Sequence, residues 1–323
     1  MSQPSLRVLV LGGSGFVGRA LCEQLQREGH RITVPSRRER QAMALGPLPA
    51  LTVVRGDVLR DPGLLERLLP GHDAVVNLIA VLQGNHERFE AVHVAWPRRL
   101  AQACLAAGVK RLVHVSALGV DAKVEGDDSA PSRYLRSKGR GEAALRAHSD
   151  LRLTVLRPSV IFGADDQFLN LFAKLQALAP VMPLAGASAR MQPVWVGDVA
   201  EAIARCLVWR ETEGKTYELA GPEVKTLKAL VQLAGRLSGH PRPVLPLPGP
   251  LAFAQALLLE CLPGEPLMSR DNLGSLKVPN VATGSLPGLR ELGIQAHSLG
   301  SVVPAYLSPG QGVARLDGLR ARR

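Results

Sequence analysis

The chain has little that would staple it, metallate it or anchor it in a bilayer. Only four of its 323 residues are cysteine. Cys22, Cys104, Cys206 and Cys261 lie far apart inside apolar, helix-patterned stretches, which argues against a disulfide framework and for core thiols in a reducing compartment. No pair of them has metal-ligand spacing, and the eight histidines are scattered with no H-E-x-x-H or comparable cluster, so no metal is expected. No run of about 18 uninterrupted apolar residues occurs, and no transmembrane span is expected. The nearest approach is 244–262, where Pro246, Pro248 and Pro250 lead into a helix apolar on nearly every side. With Glu260 as its only charge, it lacks the charged face of an interfacial helix and reads as a buried lid helix. The first strand pattern begins about five residues after Met1, which leaves no room for a signal or transit peptide and predicts a protein that stays where it is made. No internal repeat is visible.

What the chain has is enough apolar content, 46%, to bury a sizeable core. Its formal charge of +11 raises the question of nucleic acid. However, Arg and Lys are spread along the chain, with clusters only at Arg37-Arg38, Arg98-Arg99 and the tail 315–323, and no recognition motif accompanies them. No nucleic-acid partner is expected.

The segment Arg7-Val-Leu-Val-Leu-Gly12-Gly-Ser14-Gly15-Phe16-Val17-Gly18-Arg is the most informative. The apolar, branched run over 6–10 predicts a parallel strand buried on both faces, and Ala20, Leu21, Cys22 and Leu25 continue with helical spacing. Between them Gly12 lets the chain turn, Gly15 removes a side chain where backbone must approach a diphosphate, and Gly18 lets the helix lie close to the strand. The helix start offers free N–H groups and a partial positive charge to an anion. Strand, glycine turn and helix together predict a dinucleotide cradle built from Gly12, Ser14, Gly15, Phe16, Val17 and Gly18. The G-x-x-G-x-x-G spacing resembles the short-chain dehydrogenase/reductase superfamily, in the extended or atypical branch that includes the nucleoside-sugar epimerases and dehydratases.

Further strands are predicted over 31–34, 51–54, 74–78, 111–115, 153–156 and 216–219, and helices over 62–69, 88–107, 133–148 and 168–178, with a strand and helix over 194–210. Ser132 is the expected N-cap of the 133–148 helix. This alternation predicts an α/β fold, a doubly wound parallel sheet of the NAD(P)-binding Rossmann type, with ligand at the carboxyl ends of the strands. Residues 1–165 are expected to form the Rossmann domain, with 194–220 packing back on it. Residues 166–193 and 221–310 are expected to form a smaller substrate or lid region, and 311–323 a basic, disordered tail.

Tyr134 and Lys138 stand four apart on a predicted helix and share one face. A nearby ammonium and a positive nicotinamide ring favour the phenolate and bring its pKa toward a useful range for acid–base work. The lysine can also donate to the nicotinamide ribose. Where NAD-specific sites carry Asp or Glu, the end of the second strand has Ser36-Arg37-Arg38, whose guanidinium groups match a 2′-phosphate. NADP(H) is therefore expected over NAD(H). The resemblance implies further contacts: Asp57 and Val58 beside the adenine amine, Leu78, Ile79 and Ala80 at adenine and its ribose, and Pro158 and Val160 at the nicotinamide carboxamide. It also implies a catalytic hydroxyl two residues beyond Ser116, a position held here by Leu118. Ser116 or Ser132 is left to take that part, with Ser116, Tyr134 and Lys138 as the candidate catalytic set.

Taken in order, G-G-S-G-F-V-G-R, P-S-R-R from Pro35, V-S-A-L-G from Val115, Y-L-R-S-K from Tyr134, R-P-S-V-I-F-G from Arg157, Q-P-V-W-V-G-D-V from Gln192 and Y-E-L-A-G-P from Tyr217 resemble one atypical subgroup. It is the family of the nucleotide-binding accessory subunit of respiratory complex I and its bacterial relatives. The resemblance implies a tightly held NADPH, a role in assembly or stability of a quinone-reducing membrane complex, and in some relatives a link to ubiquinone biosynthesis. Two readings follow. One is an NADPH-dependent oxidoreductase or isomerase acting on an apolar or quinone-like molecule beneath the 244–262 helix. The other is a catalytically silent protein that holds NADPH structurally and binds a respiratory membrane complex, either way cytoplasmic or peripheral at the cytoplasmic face of the inner membrane.

Overall fold

The apolar runs of the amino-terminal half become the middle of a seven-stranded sheet in the computed structural model, which describes residues 5–37, 43, 45–46, 48–120, 130–260 and 268–309. Its strands are β1 (Arg7–Leu11), β2 (Arg31–Ser36), β3 (Leu51–Arg55), β4 (Ala74–Asn77), β5 (Arg111–Val115), β6 (Arg152–Pro158) and β7 (Thr216–Leu219). They lie in the order β7-β6-β5-β4-β1-β2-β3, every neighbouring pair parallel. Val8, Leu9, Val10, Leu11, Val75, Val76, Leu112 and Val113 are fully buried, as strands covered on both faces must be. The order reverses between β1 and β4, so the carboxyl ends of these two strands frame the crevice in which such sheets bind ligands.

The principal helices in chain order are α1 (Phe16–Arg27), α2 (Pro62–Leu68), α3 (His86–Glu90), α4 (Trp96–Ala106), α5 (Arg133–Arg146), α6 (Leu169–Leu178), α7 (Val196–Val208), α8 (Leu227–Leu237) and α9 (Gly249–Glu260). Ser132 caps α5, its hydroxyl accepting the Leu135 N–H at 3.2 Å. Residues 121–129, which precede it, lie outside the described residues.

The single helix predicted over 88–107 is interrupted. A π-helical turn, Ala91–Ala95, joins α3 to α4, and the Trp96 N–H reaches Ala91 O, five residues back. Pro97 explains it, because proline has no N–H for the carbonyl of His93 four residues earlier.

The chain divides into two compact units, one of residues 1–158, 197–219 and 283–294, the other of 159–196, 220–282 and 295–323. Residues 283–294, expected in the lid, belong to the first unit. They cover the outer edge of β7, where the Glu218 N–H donates to Pro287 O at 2.9 Å and the Glu218 carboxylate accepts the Thr283 N–H at 2.6 Å. The first stretch of the first unit runs to Pro158, where 165 was expected. Ser159 and Val160 are tied into the second unit by Asn280, whose Oδ1 accepts the Ser159 hydroxyl at 2.6 Å and the Val160 N–H at 2.8 Å.

The second unit packs α6 and α8 around Phe162, Leu169, Leu184, Leu230, Val231 and Val303. Its α9 corrects the expectation of a buried lid helix. Only Ala252 and Ala256 are buried, while Leu251, Phe253, Leu257 and Leu258 are exposed, because an all-apolar helix has more apolar surface than one neighbour can cover. No described helix is long and apolar enough to cross a membrane. Cys22, Cys104 and Cys206 are buried free thiols, and Cys261 and the tail 310–323 lie outside the described residues.

Candidate functional site

The turn after β1 is built so tightly that only glycine fits at several points. Gly12 has φ +85°, the left-handed region that other residues avoid. A Cβ on Gly18 would stand 2.4 Å from Gly12 O and 2.5 Å from the Cα and O of Gly13. One on Gly13 would meet both Val34 methyls at 2.7 and 2.8 Å. Gly13 was missed in the sequence, where the signal was the β-branched Val34 of β2. Gly15 is freer, 3.2 Å from Gly12 O, and it starts α1 without a capping side chain. The first-turn N–H groups that no helix satisfies internally therefore have no capping side chain competing for them.

Beside this turn, the Ser36 hydroxyl lies 3.1 Å from that of Ser14. Arg37, half-exposed, is 3.5 Å from the Asp57 carboxylate, which also accepts the Leu59 N–H at 3.0 Å and has Arg60 at 3.9 Å. Val58 is buried, and Arg38 lies outside the described residues. The Leu78 N–H donates to Leu11 O at 2.9 Å, holding β4's exit against the glycine turn, and the Ile79 N–H donates to the Asn77 side chain at 3.3 Å, whereas Ala80 is exposed. Asn77 is buried and also accepts the Trp96 indole N–H at 3.1 Å.

Lys138 is buried, and its Nζ donates to Val115 O at 2.8 Å, at the carboxyl end of β5. Burial pushes its pKa down to about 8, against a smaller upward pull from Glu142. Tyr134, one turn earlier, has its phenol pushed up to about 12 by burial, so the ammonium-lowered phenolate expected from the sequence is not the state of the protein alone. Desolvation wins here because the ammonium is turned to a carbonyl. Ser116 is buried, its N–H donates to Leu156 O at 2.7 Å, and its Oγ has no hydrogen-bond partner among the described residues. Leu118 is buried, with its N–H on Pro158 O at 3.0 Å, while the other candidate hydroxyl, Ser132, is committed as the α5 cap.

Two residues here escaped the sequence reading. His93, on the π turn, packs its ring against Tyr134 and Phe89, each at 5.5 Å between centroids. Gly141 admits the close approach of α5 to that turn, since a Cβ there would lie 1.9 Å from His93 O. Neither belongs to a local motif, so only the packing of α5 reveals them.

The glycine turn that a Cβ would fill, the uncapped start of α1 and the unpaired Ser116 hydroxyl all fit a dinucleotide. Among the described residues no group of His, Cys, Asp and Glu side chains could hold a metal ion.

Residues 8–220 match the NAD dependent epimerase/dehydratase family. The mitochondrial NADH dehydrogenase [ubiquinone] 1 alpha subcomplex subunit 9 of Mus musculus is 33% identical over 294 residues, 88% of this chain and 75% of that protein. A ceramide reductase of Caulobacter vibrioides is 33% identical over 202 residues, 62% of this chain and 60% of its own. The UDP-glucuronic acid 4-epimerase from Bacillus cereus, solved with UDP-glucuronic acid and NAD, shares the fold at a TM-score of 0.65 and 18% identity, over 86% of this chain and 95% of that one. The chain belongs to the NAD-dependent epimerase/dehydratase family of the short-chain dehydrogenase/reductases, a relative of the complex I accessory subunits with an NAD(P)-binding α/β fold.

Proposed function

We propose that the protein binds NADP(H) at the carboxyl ends of β1 to β6 and acts as an oxidoreductase or isomerase on an apolar, quinone-like molecule of respiratory-chain or quinone metabolism. The observation that carries this reading is the pairing on one face of α5 of Tyr134 with Lys138, whose Nζ is held at Val115 O beside the unpaired Ser116 hydroxyl. Gly12, Ser14, Gly15, Phe16, Val17 and Gly18 would hold the diphosphate. Ser36, Arg37 and Arg38 would take the 2′-phosphate, and Asp57 with Val58 the adenine. Leu78, Ile79 and Ala80 would take the adenine ribose, and Pro158 with Val160 the carboxamide. When bound, the nicotinamide supplies or accepts the hydride. Tyr134, its phenol near 12, holds its proton and is placed to donate it, Lys138 would orient the ribose, and Ser116 offers the remaining hydroxyl.

A second reading is favoured by Leu118, buried where the superfamily's hydroxyl stands, and by the likeness to NADH dehydrogenase subunits. In it NADPH is a structural element, and the protein is an accessory or assembly partner of a respiratory membrane complex, peripheral at the cytoplasmic face. Mass spectrometry of nucleotide released from freshly purified protein tests both. About one NADP(H) per chain surviving dialysis supports the structural role, and reversible binding with NADPH turnover on quinones, lost in Tyr134→Phe, supports the enzyme. Arg37→Ala and Arg38→Ala are expected to weaken NADPH about tenfold or more and leave NADH unchanged, by loss of charge-assisted hydrogen bonds. Unchanged NADPH affinity in both removes the 2′-phosphate assignment.

A further inference from the structure

We propose that His93 is a positioning residue that couples the loop after β4 to the Tyr134/Lys138 helix, so that the adenine-ribose and nicotinamide ends of the dinucleotide site move as one unit. The inference rests on the nucleotide-binding reading above.

The wiring is set by hydrogen-bond arithmetic on a buried ring. His93 Nε2 lies 3.1 Å from the Val81 N–H, a donor, so this nitrogen accepts and carries no proton. The ring proton is therefore on Nδ1, which lies 2.8 Å from Ser137 Oγ and donates to it. That sends the Ser137 hydroxyl proton onward to Tyr134 O at 2.8 Å. One chain of three directed bonds thus runs from Val81, just past Leu78–Ala80, to the backbone of Tyr134. The same ring limits the phenol sterically, its plane at 81° to that of Tyr134, while Phe89 stacks on it at 28°.

The ring can reach both partners because of the helix it sits on. The wide turn over Ala91–Ala95, imposed by Pro97, presents His93 toward α5, and Gly141 lets α5 come close enough for Ser137 to meet it. Burial and the Lys138 ammonium hold the imidazole neutral, its pKa near 3, which keeps Nε2 an acceptor at ordinary pH.

Ser137→Ala and His93→Gln separate the links. Ser137→Ala leaves every atom of the β4 loop in place yet removes the acceptor of the Nδ1 proton, which anchors the ring to α5. Hydrogen exchange of the nucleotide-free protein should show the Val81 amide exchanging about fivefold faster, the equivalent of losing one hydrogen bond's net contribution. His93→Gln, whose Oε1 can replace Nε2 as acceptor, should restore most Val81 protection while loosening the first turn of α5. With NADPH as probe, both variants should release the nucleotide several-fold faster than wild type. Val81 exchange unchanged in Ser137→Ala, or equal loss at Val81 in both variants, overturns the coupling. Failure of the wild type to bind NADPH overturns the reading beneath it instead, and the two failures are distinguished because exchange is measured without nucleotide.

Discussion

Gly18→Ala is the sharpest probe of the proposed nucleotide cradle. The added Cβ would stand 2.4 Å from Gly12 O and 2.5 Å from Gly13 Cα and O, against about 3.3 Å or more for an ordinary carbon–oxygen contact. All three obstacles are backbone, so nothing can rotate aside, and the start of α1 must move by roughly 1 Å relative to the turn. Overpacking of this kind costs about 1–3 kcal/mol, and the upper end applies because the contacts are backbone on both sides. Alanine returns about 1 kcal/mol of helix propensity over glycine, which leaves a net loss of about 2 kcal/mol. At about 2–4 °C per kcal/mol in a domain of this size class, Tm should fall by about 4–8 °C. The displaced N–H groups should also weaken NADPH at least tenfold, read by nicotinamide fluorescence. Gly29→Ala is the control: it has φ +79° but no atom within 4 Å of a Cβ, so it should lose stability without losing nucleotide affinity. A Gly18→Ala protein with wild-type Tm and wild-type NADPH affinity would refute the cradle argument.

Lys138→Met should reveal the cost of the buried ammonium. The unfolded chain keeps that proton to pH 10.5 and the folded protein only to about 8, so stability rises with pH between these values, by roughly 3 kcal/mol at most. The variant should lack this rise in urea unfolding, and a difference from wild type that does not vary with pH removes the assignment. At the acid end, His93 binds its proton below about 6.5 when unfolded and only near 3 when folded, so it makes stability fall as pH drops, contributing about 1.4 kcal/mol per unit to the slope. His93→Gln should flatten that slope between pH 6 and 4.5, and an unchanged slope would mean the ring is not held neutral. Glu142 is fully buried and binds Arg157 through both oxygens at 3.0 and 2.7 Å. Glu142→Gln should cost about 3–5 kcal/mol by stranding the guanidinium, with Arg157→Met in the same chain recovering most of it. Equal stability of single and double variants would show that the pair carries no such strain.

The sheet was legible because its strands are short, branched and covered on both faces, which writes each of them as a near-continuous apolar run. The strand predicted over 111–115 is β5 itself, and the 31–34 strand runs on only to Ser36. The interruption of the 88–107 helix was less legible, since Pro97 announces a missing N–H without saying whether the helix ends, kinks or widens. Here it widens, because α5 packs against the turn through Gly141. Similarly, β7 advertises a strand at 216–219, but nothing local assigns 283–294 to its edge, 65 residues away at the Glu218–Thr283 bond.

The sequence by itself determined the class of fold, the glycine turn after β1 and the spacing of Tyr134 and Lys138, all of which depend on neighbours within a few residues. Only the tertiary structure decided what those groups are. It turned the Lys138 ammonium to Val115 O, buried Leu118, left Ser116 Oγ unpaired among the described residues and set His93 against Tyr134. Proton affinity and hydrogen-bond partnership are properties of what surrounds a side chain, and those surroundings come from segments far apart in the chain.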